Sequence, residues 1–181
     1  MLSNSLYKKN RSKLLKHLPK NALCVFESND QMPTNADGLM PFRQNNDLLY
    51  LTGIDQEETS LVVFPDAKHD EHKEILFIKK TSKEIEVWEG RKLSIKEAQK
   101  ISGIKTVIWN DDYLNTLFTL INQSDCVFLS SNEHPRASVV VESRNQRLAK
   151  ILKNKFSGTR FDRSAPIMHK LRSIKENEEI N

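Results

Sequence analysis

Residues 43–53, RQNNDLLYLTG, are the stretch that most constrains the fold of this chain. Polar residues up to Asp47 lead directly into an apolar block at 48–51, and Thr52-Gly53 closes the block where the backbone must turn. A continuous apolar block, without strict alternation, is typical of a strand that is covered on both faces of a sheet. We therefore predict a central strand over residues 47–52, with its neighbours on either side.

Apolar runs around this stretch predict the first half of the fold. An amphipathic helix is expected over 4–18 and a strand over 22–27, followed by a long loop over 28–41 that marks a candidate working surface. Strands are expected over 61–64 and 75–78. Because the gaps between the three consecutive strands at 47–52, 61–64 and 75–78 are too short for a crossover helix, these strands should pair antiparallel as a meander.

The second half of the chain alternates helices and strands. Ser94 and Glu97 fit a capping box at the start of a helix that Gly103 ends. Strands over 106–109 and 126–129 flank a helix, which leaves room for a parallel right-handed crossover, and a last helix is expected over 138–155. The side chains expected to face inward are Leu114, Leu117, Phe118 and Ile121 in the first of these helices and Val141, Leu148, Ile151 and Leu152 in the second. The predicted fold is α/β, with a mixed sheet flanked by helices.

Three segments carry a resemblance to a known family. PFRQNND at 41–47, with Tyr50 and Thr52-Gly53, resembles the hallmark of the N-terminal, non-catalytic domain of aminopeptidase P, an Xaa-Pro aminopeptidase of the creatinase and prolidase superfamily. EVWEGR at 86–91 resembles a second segment of that domain. MHKLRSIK at 168–175, with EEI at 178–180, resembles its join to the catalytic domain. The resemblance implies a mixed α/β sheet often compared with ribonuclease H.

The resemblance also implies a division of the chain. Residues 1–160 correspond to the N-terminal domain, and 161–181 correspond to a linker and the start of the first helix of an absent catalytic domain. Ser173 and Glu176 fit a capping box for such a helix, yet only about eight residues follow. Because isolated helices shorter than about 12 residues are marginal, we expect this helix to continue in a longer polypeptide.

Composition and motifs exclude several classes of function. The formal charge of +4 is modest and both signs are interspersed, which does not indicate a nucleic-acid footprint. No apolar stretch approaches the roughly 20 residues of a membrane span, and no signal peptide is recognised, so a cytoplasmic protein is expected. The chain contains no GxGxxG, GxSxG, HExxH or CxxC motif. Cys24 and Cys126 lie in apolar runs, where core packing is expected.

What the resemblance implies about chemistry lies outside this sequence. The catalytic domain of the family holds two divalent metals, usually manganese, on two Asp, one His and two Glu, and none of those ligand segments occurs here. The 181-residue chain is therefore expected to hold no cofactor and no catalytic residue, and to be inactive by itself. The implied partners are its own catalytic domain, further copies in a dimer or tetramer and, through the full enzyme, proline-containing peptides.

Seven residues are candidates for roles outside catalysis. Asp37 matches a position that approaches the active site in some family members, and Trp88 matches one that presents an aromatic ring to a neighbouring subunit. The alternatives are that Asp37 caps a turn and that Trp88 packs in the core. The motif residues are expected to be structural, with a guanidinium and a carboxylate holding the 28–41 loop. These residues are Arg43, Asn45, Asp47, Tyr50 and Gly53.

Other assignments stay open on the sequence alone. Prolidase and creatinase have similar N-terminal domains, and a prolidase would act on dipeptides. A stand-alone binding or assembly module without catalysis is a second alternative. Nucleic-acid processing by a ribonuclease H-like fold is a third, but likeness of fold does not imply function, and no acidic cluster is placed at strand ends to bind magnesium.

Overall fold

A six-stranded mixed sheet, covered by helices on both faces, organises the molecule. The computed structural model describes residues 3–137 and 140–180. The strands are β1 Ala22–Glu27, β2 Ser60–Val63, β3 Glu74–Ile78, β4 Thr106–Trp109, β5 Cys126–Leu129 and β6 Arg160–Arg163. The helices are α1 Asn4–Leu15, α2 Asn46–Thr52, α3 Lys83–Glu89, α4 Ile95–Ser102, α5 Tyr113–Ile121, α6 Arg144–Lys155, α7 Ala165–Ser173 and α8 Asn177–Ile180. The predicted fold class is confirmed.

Strand directions follow from the pairing within the order β4-β3-β2-β1-β5-β6. β1, β2 and β3 form an antiparallel meander, in which β1 takes the place predicted for a strand at 47–52. The pairs β3–β4, β1–β5 and β5–β6 are parallel. The strands at 106–109 and 126–129 are therefore parallel, as expected, but β3, β2 and β1 lie between them. Every strand except β2 points in the same direction.

Two apolar layers enclose the sheet. α1, α2, α4 and α7 cover one face, where Leu14, Leu48, Ala98 and Met168 are fully buried. α5 and α6 cover the other face with residues such as Leu117 and Leu152. No helix within the described part of the chain is long and apolar enough to cross a membrane.

The strand predicted at 47–52 is wrong, because these residues form α2. The Asn45 side chain caps this helix by accepting hydrogen bonds from Asp47 N and Leu48 N, and Gly53 ends it in the left-handed conformation, with φ of 69°. Leu48 and Leu51, three residues apart, face the core, whereas Leu49 is exposed. A short apolar block does not distinguish a strand from a buried helical turn, and the cap residues on both sides decide for the helix.

Two predicted helices differ from the structure in their inward faces. In α5, Leu117 and Ile121 are buried and Phe118 is partly buried, but Leu114 is exposed because the buried line runs through Tyr113, Leu117 and Leu120. The last helix begins at Arg144, where Ser143 and Gln146 form a capping box, and not at 138. Positions 138 and 139 lie outside the described residues. Within this segment Leu148 and Leu152 are buried as predicted, whereas Val141 and Ile151 are exposed.

The carboxyl-terminal residues pack on the same sheet as the rest of the chain. β6 pairs with β5 over Cys126↔Arg160 to Leu129↔Arg163, so the division expected at residue 160 passes through a strand. Met168 and Leu171 of α7 belong to the apolar core. The helix start expected at Ser173 is wrong, because Ser173 ends α7 and its hydroxyl donates to His169 O. That residues 161–181 lead into a catalytic domain stays a prediction.

Candidate functional site

One edge of the sheet collects most of the loops that carry candidate residues. Because five strands run in the same direction, the segments that follow β1, β3, β4, β5 and β6 all emerge there, as does the segment that precedes the antiparallel β2. We call this side the carboxyl edge. In open α/β sheets, ligands bind outside the carboxyl ends of the strands. The 28–45 segment with Asp37 and helix α3 with Trp88 both start from this edge.

A polar crevice lies where the connections of two neighbouring strands diverge. From β1 the chain continues to α2 on one face of the sheet, and from the parallel neighbour β5 it continues to α6 on the other face. The crevice between them has a volume of about 230 Å³. Its lining is almost entirely polar and includes Asn29, Gln44, Ser130, His169 and Arg172. Such a crevice is suited to peptide or other polar groups.

Gln44 fixes both ends of the loop that forms one wall of this crevice. Its buried amide Nε2 donates to Ile54 O at 3.1 Å and Gln56 O at 2.8 Å. Its Oε1 accepts from Asn45 N at 2.7 Å and Asn29 N at 3.4 Å. A buried polar group with all its bonds made holds the backbone around it in one arrangement. Gln44 lies within the 43–53 segment, but no local sequence pattern predicts this role.

Arg43 and Asp47 do not hold the loop as a pair. Arg43 is exposed, and its contribution is a backbone carbonyl that accepts from Asn29 Nδ2 at 2.9 Å. Asp47 Oδ1 instead accepts from Arg172 Nη1 of α7 at 2.8 Å. Asp47 therefore pairs with a guanidinium 125 residues further along the chain, and this pair joins α2 to α7 and does not hold the 28–41 loop as expected.

The other motif residues also make contacts within the fold. Asn45 is the cap of α2, and the Tyr50 hydroxyl donates to Leu171 O at 3.3 Å. Gly53 lies directly against the ring of Tyr7, so that a Cβ atom at this position would overlap the ring. These contacts join α2 to α1 and α7.

Asp37 lies at the exposed tip of the loop after β1. The tip is closed by backbone hydrogen bonds from Thr34 N to Gly38 O at 2.8 Å and from Gly38 N to Asn35 O at 3.0 Å. Within residues 3–137 and 140–180 the Asp37 carboxylate accepts no hydrogen bond, so the turn-capping alternative is not seen. The carboxylate is accessible to a cationic group.

Trp88 projects from α3, a helix without any buried residue. Its side chain is 88% exposed, which excludes the core-packing alternative within this chain, and Val87 beside it is exposed too. Lys79, the residue after β3, pairs with Glu89 of α3 at 2.6 Å and with Glu58 at 3.1 Å. Partial burial acts to lower the pKa of Lys79, but the hydrogen bonds to these carboxylates outweigh it and the pKa is raised. The same bond holds the pKa of Glu89 below its usual value.

A buried charged network centred on Glu27 lies at the carboxyl edge, where β1 ends. Glu27, the last residue of β1, is 1% exposed and accepts hydrogen bonds from Tyr113 Oη, Arg144 Nε and Ser60 Oγ. Burial first, and the nearby Glu27 carboxylate second, raise the pKa of Tyr113 well above its ordinary value. Burial acts to lower the pKa of Arg144, but Glu27 outweighs it and the pKa is raised. The network joins β1, β2, α5 and α6.

The described residues contain no cluster of side chains suited to bind a metal ion. No group of three or more His, Cys, Asp or Glu side chains between 3 and 137 or between 140 and 180 is placed to hold a metal ion. Cys24 and Cys126 are free and buried, and burial raises the pKa of both thiols. The side chains in the described part of the chain therefore do not fit a two-metal centre.

Comparison with known proteins identifies the family. The sequence model of the family described as "Aminopeptidase P, N-terminal domain" matches residues 7–129. The chain belongs to the aminopeptidase P N-terminal domain family. The match spans the sheet from α1 to β5 and includes the 43–53 segment, Asp37 and Trp88.

The relatives that match this chain are longer than it is. The chain is 26% identical over 181 residues to the Xaa-Pro aminopeptidase of Escherichia coli K12, covering 99% of the chain and 41% of the relative. It is 31% identical over 98 residues to Xaa-Pro aminopeptidase 3 of Dictyostelium discoideum, covering 54% of the chain and 19% of the relative. A Bacillus anthracis structure assigned as an aminopeptidase P superposes with a TM-score of 0.88 at 26% identity, covering 99% of this chain and 42% of that one. The chain thus spans about two fifths of the length of the E. coli and B. anthracis proteins.

Proposed function

We propose that this chain is the N-terminal, non-catalytic part of an Xaa-Pro aminopeptidase, which removes the amino-terminal residue that precedes proline by two-metal hydrolysis. One observation carries the proposal: 99% of this chain aligns with the E. coli Xaa-Pro aminopeptidase, but the alignment covers only 41% of that enzyme. The metal centre, with manganese as the expected metal, would belong to sequence outside this chain, and the cytoplasm is the expected compartment.

The carboxyl edge supports a role in substrate access. Asp37 presents a free carboxylate at the tip of a loop, and a carboxylate can bind the charged amine of a peptide. The polar crevice beside this loop offers donors and acceptors to a peptide main chain. We infer that this edge faces the catalytic cleft and limits access to it.

Helix α3 supports a role in assembly. An exposed Trp next to an exposed Val on a helix with no core contact leaves apolar surface without a partner in this chain. Trp is enriched among the residues that dominate protein interfaces. We infer that Trp88 contacts a neighbouring subunit in the homo-oligomer. A stand-alone assembly module remains the second candidate, since the same surface would serve it without catalysis.

Activity measurements separate these proposals. The 181-residue chain mixed with manganese and an Xaa-Pro peptide is expected to release no amino acid above blank. The polypeptide encoded by the complete reading frame is expected to release it and to contain two Asp, one His and two Glu in family order. Turnover by the chain alone would overturn its non-catalytic role. A complete reading frame without those residues or without turnover would favour the assembly module.

Trp88→Ala is expected to weaken assembly or activity of the full-length enzyme without unfolding the domain. Because the ring is 88% exposed, the free energy of unfolding of the 181-residue chain should change by less than about 0.5 kcal/mol. Size-exclusion chromatography with light scattering and chemical denaturation measure the two effects.

The other tryptophan of the chain is the matched control. Trp109 packs against the apolar core, and Trp109→Ala should lower the free energy of unfolding by about 2 kcal/mol. If Trp88→Ala destabilises the chain as much as Trp109→Ala does, Trp88 is part of the fold. If assembly and activity are both unchanged, the interface proposal is wrong.

A further inference from the structure

Two residues of the 43–53 segment reach across to the end of α7. Asp47 Oδ1 accepts from Arg172 Nη1 at 2.8 Å, and Tyr50 Oη donates to Leu171 O at 3.3 Å. Both contacts join positions more than 120 residues apart in the chain. The ion pair is sheltered, since the side chains of Asp47 and Arg172 are 12% and 33% exposed. Shelter from water makes such a pair stronger than an ordinary surface pair.

The α2 platform that carries Asp47 and Tyr50 is itself firmly placed. Asn10 Nδ2 donates to Tyr50 O at 2.9 Å. The guanidinium of Arg11, only 1% exposed, donates to Leu51 O at 2.8 Å and to Ser102 O at 3.0 Å. α2 is thus held by two side chains of α1, of which Arg11 also reaches α4, and it can serve as a fixed reference for α7.

Apolar packing stops at Leu171. Ala165, Met168 and Leu171 are the buried residues of α7, and α8 has none. Beyond Leu171 the chain is held mainly by polar contacts. These are the contacts of Arg172, the ion pairs of Glu176 with Lys9 at 2.6 Å and with Lys13, and the hydrogen bond from Ser3 Oγ to Glu178 at 2.9 Å. Segments with few buried apolar contacts open at low free energy, so individual polar contacts decide how often they leave the surface.

We propose that Asp47 and Tyr50 are positioning residues, which clamp the end of α7 and fix the direction in which residues 172–180 leave the sheet. The proposal rests on the proposed function, because this direction matters for catalysis only if a catalytic domain follows. Through the clamp, the 43–53 segment sets the position of that domain relative to the carboxyl edge, and so the distance between Asp37 and the reacting peptide.

Hydrogen exchange of the 181-residue chain tests the clamp directly. Asp47→Asn and Arg172→Gln are each expected to speed amide exchange in residues 172–180 about tenfold, with β1 and α5 unchanged. The double variant should be no faster than either single variant, because each removes the same contact. Tyr50→Phe should give a smaller increase, and Arg172→Lys, which retains a cation in reach of Asp47, should stay close to the wild-type rate.

Lys170→Gln is the matched control, because it removes the same charge from an exposed position on the same helix. It should leave exchange in 172–180 unchanged. Equal acceleration by Lys170→Gln, additive effects of the two single variants, or uniform acceleration across the whole chain would each overturn the clamp.

The full-length enzyme provides the functional readout. Arg172→Gln is expected to lower kcat for an Xaa-Pro tripeptide about fivefold or more, with Arg172→Lys restoring most of it and Lys170→Gln having no effect. Unchanged kcat in Arg172→Gln would overturn the positioning role. Absence of activity in the wild-type full-length protein would instead refute the proposed function, and the exchange result would still decide whether the clamp exists.

Discussion

Gly53→Ala is expected to lower the free energy of unfolding by about 4 kcal/mol, as measured by urea denaturation. Gly53 ends α2 in the left-handed conformation, with φ of 69°, which costs a residue with a Cβ atom about 1–2 kcal/mol. The new methyl group would also overlap the ring of Tyr7, a buried side chain that cannot swing into solvent. Overpacking of this kind costs about 1–3 kcal/mol more.

Gly103 offers a matched control for the backbone part of this effect. It ends α4 with φ of 70° and ψ of 10°, nearly the same conformation as Gly53. The neighbour that its added Cβ would meet is the side chain of Lys8, which is flexible and exposed. Gly103→Ala should therefore cost only about 1–2 kcal/mol. Equal losses at the two positions would show that the Tyr7 ring moves aside, and that α2 is not held against α1 as tightly as the structure indicates.

Local sequence signals predicted most strands of this fold correctly. The runs around 22–27, 61–64, 75–78, 106–109 and 126–129 each consist largely of apolar and β-branched residues between turn signals, and each is a strand. The capping box at Ser94 and Glu97 placed the start of α4 for the same reason, since its signal lies within four residues.

Elements that lack such a local signal were missed. β6, RFDR, is a short strand at the edge of the sheet, with no buried residue, and its pairing with β5 creates it. The error at 47–52 has the opposite cause, because a strong apolar signal was present but fitted two structures. The capping preferences of Asn45 and Gly53 are the local signals that favour the helix.

The candidate site depends on contacts that no local pattern carries. Asp47 pairs with a cation on α7, and the polar crevice exists only because β1 and β5 are parallel neighbours although about 100 residues separate them. The motif residues could be selected from the sequence, but their partners, Arg172 and Leu171, could be found only from the structure. Gln44 went unassigned because a buried glutamine has the same sequence signature as an exposed one.

Arg144→Met is expected to lower the free energy of unfolding by about 3 kcal/mol, the second large effect on stability. The change leaves Glu27, 1% exposed, with only the Tyr113 and Ser60 hydroxyls as partners for its charge. Breaking a buried ion pair by removing one member costs about 3–5 kcal/mol, and the lower value applies because the Arg144 side chain is 21% exposed. Urea denaturation of the 181-residue chain measures the loss.

Arg147→Met, one turn further along α6, separates burial of charge from loss of an arginine. Arg147 pairs with Asp30 at 2.6 Å, but its side chain is 46% exposed, so this change should cost less than about 1 kcal/mol. Tyr113→Phe removes a single hydrogen bond to the Glu27 carboxylate and should fall between the two, at about 1.5 kcal/mol. The three losses of stability are expected in this order because Arg144 and Tyr113 both contact the buried charge of Glu27, whereas Arg147 does not. If both arginine variants lose the same stability, water reaches Glu27, and the network does not bind α6 to the carboxyl edge.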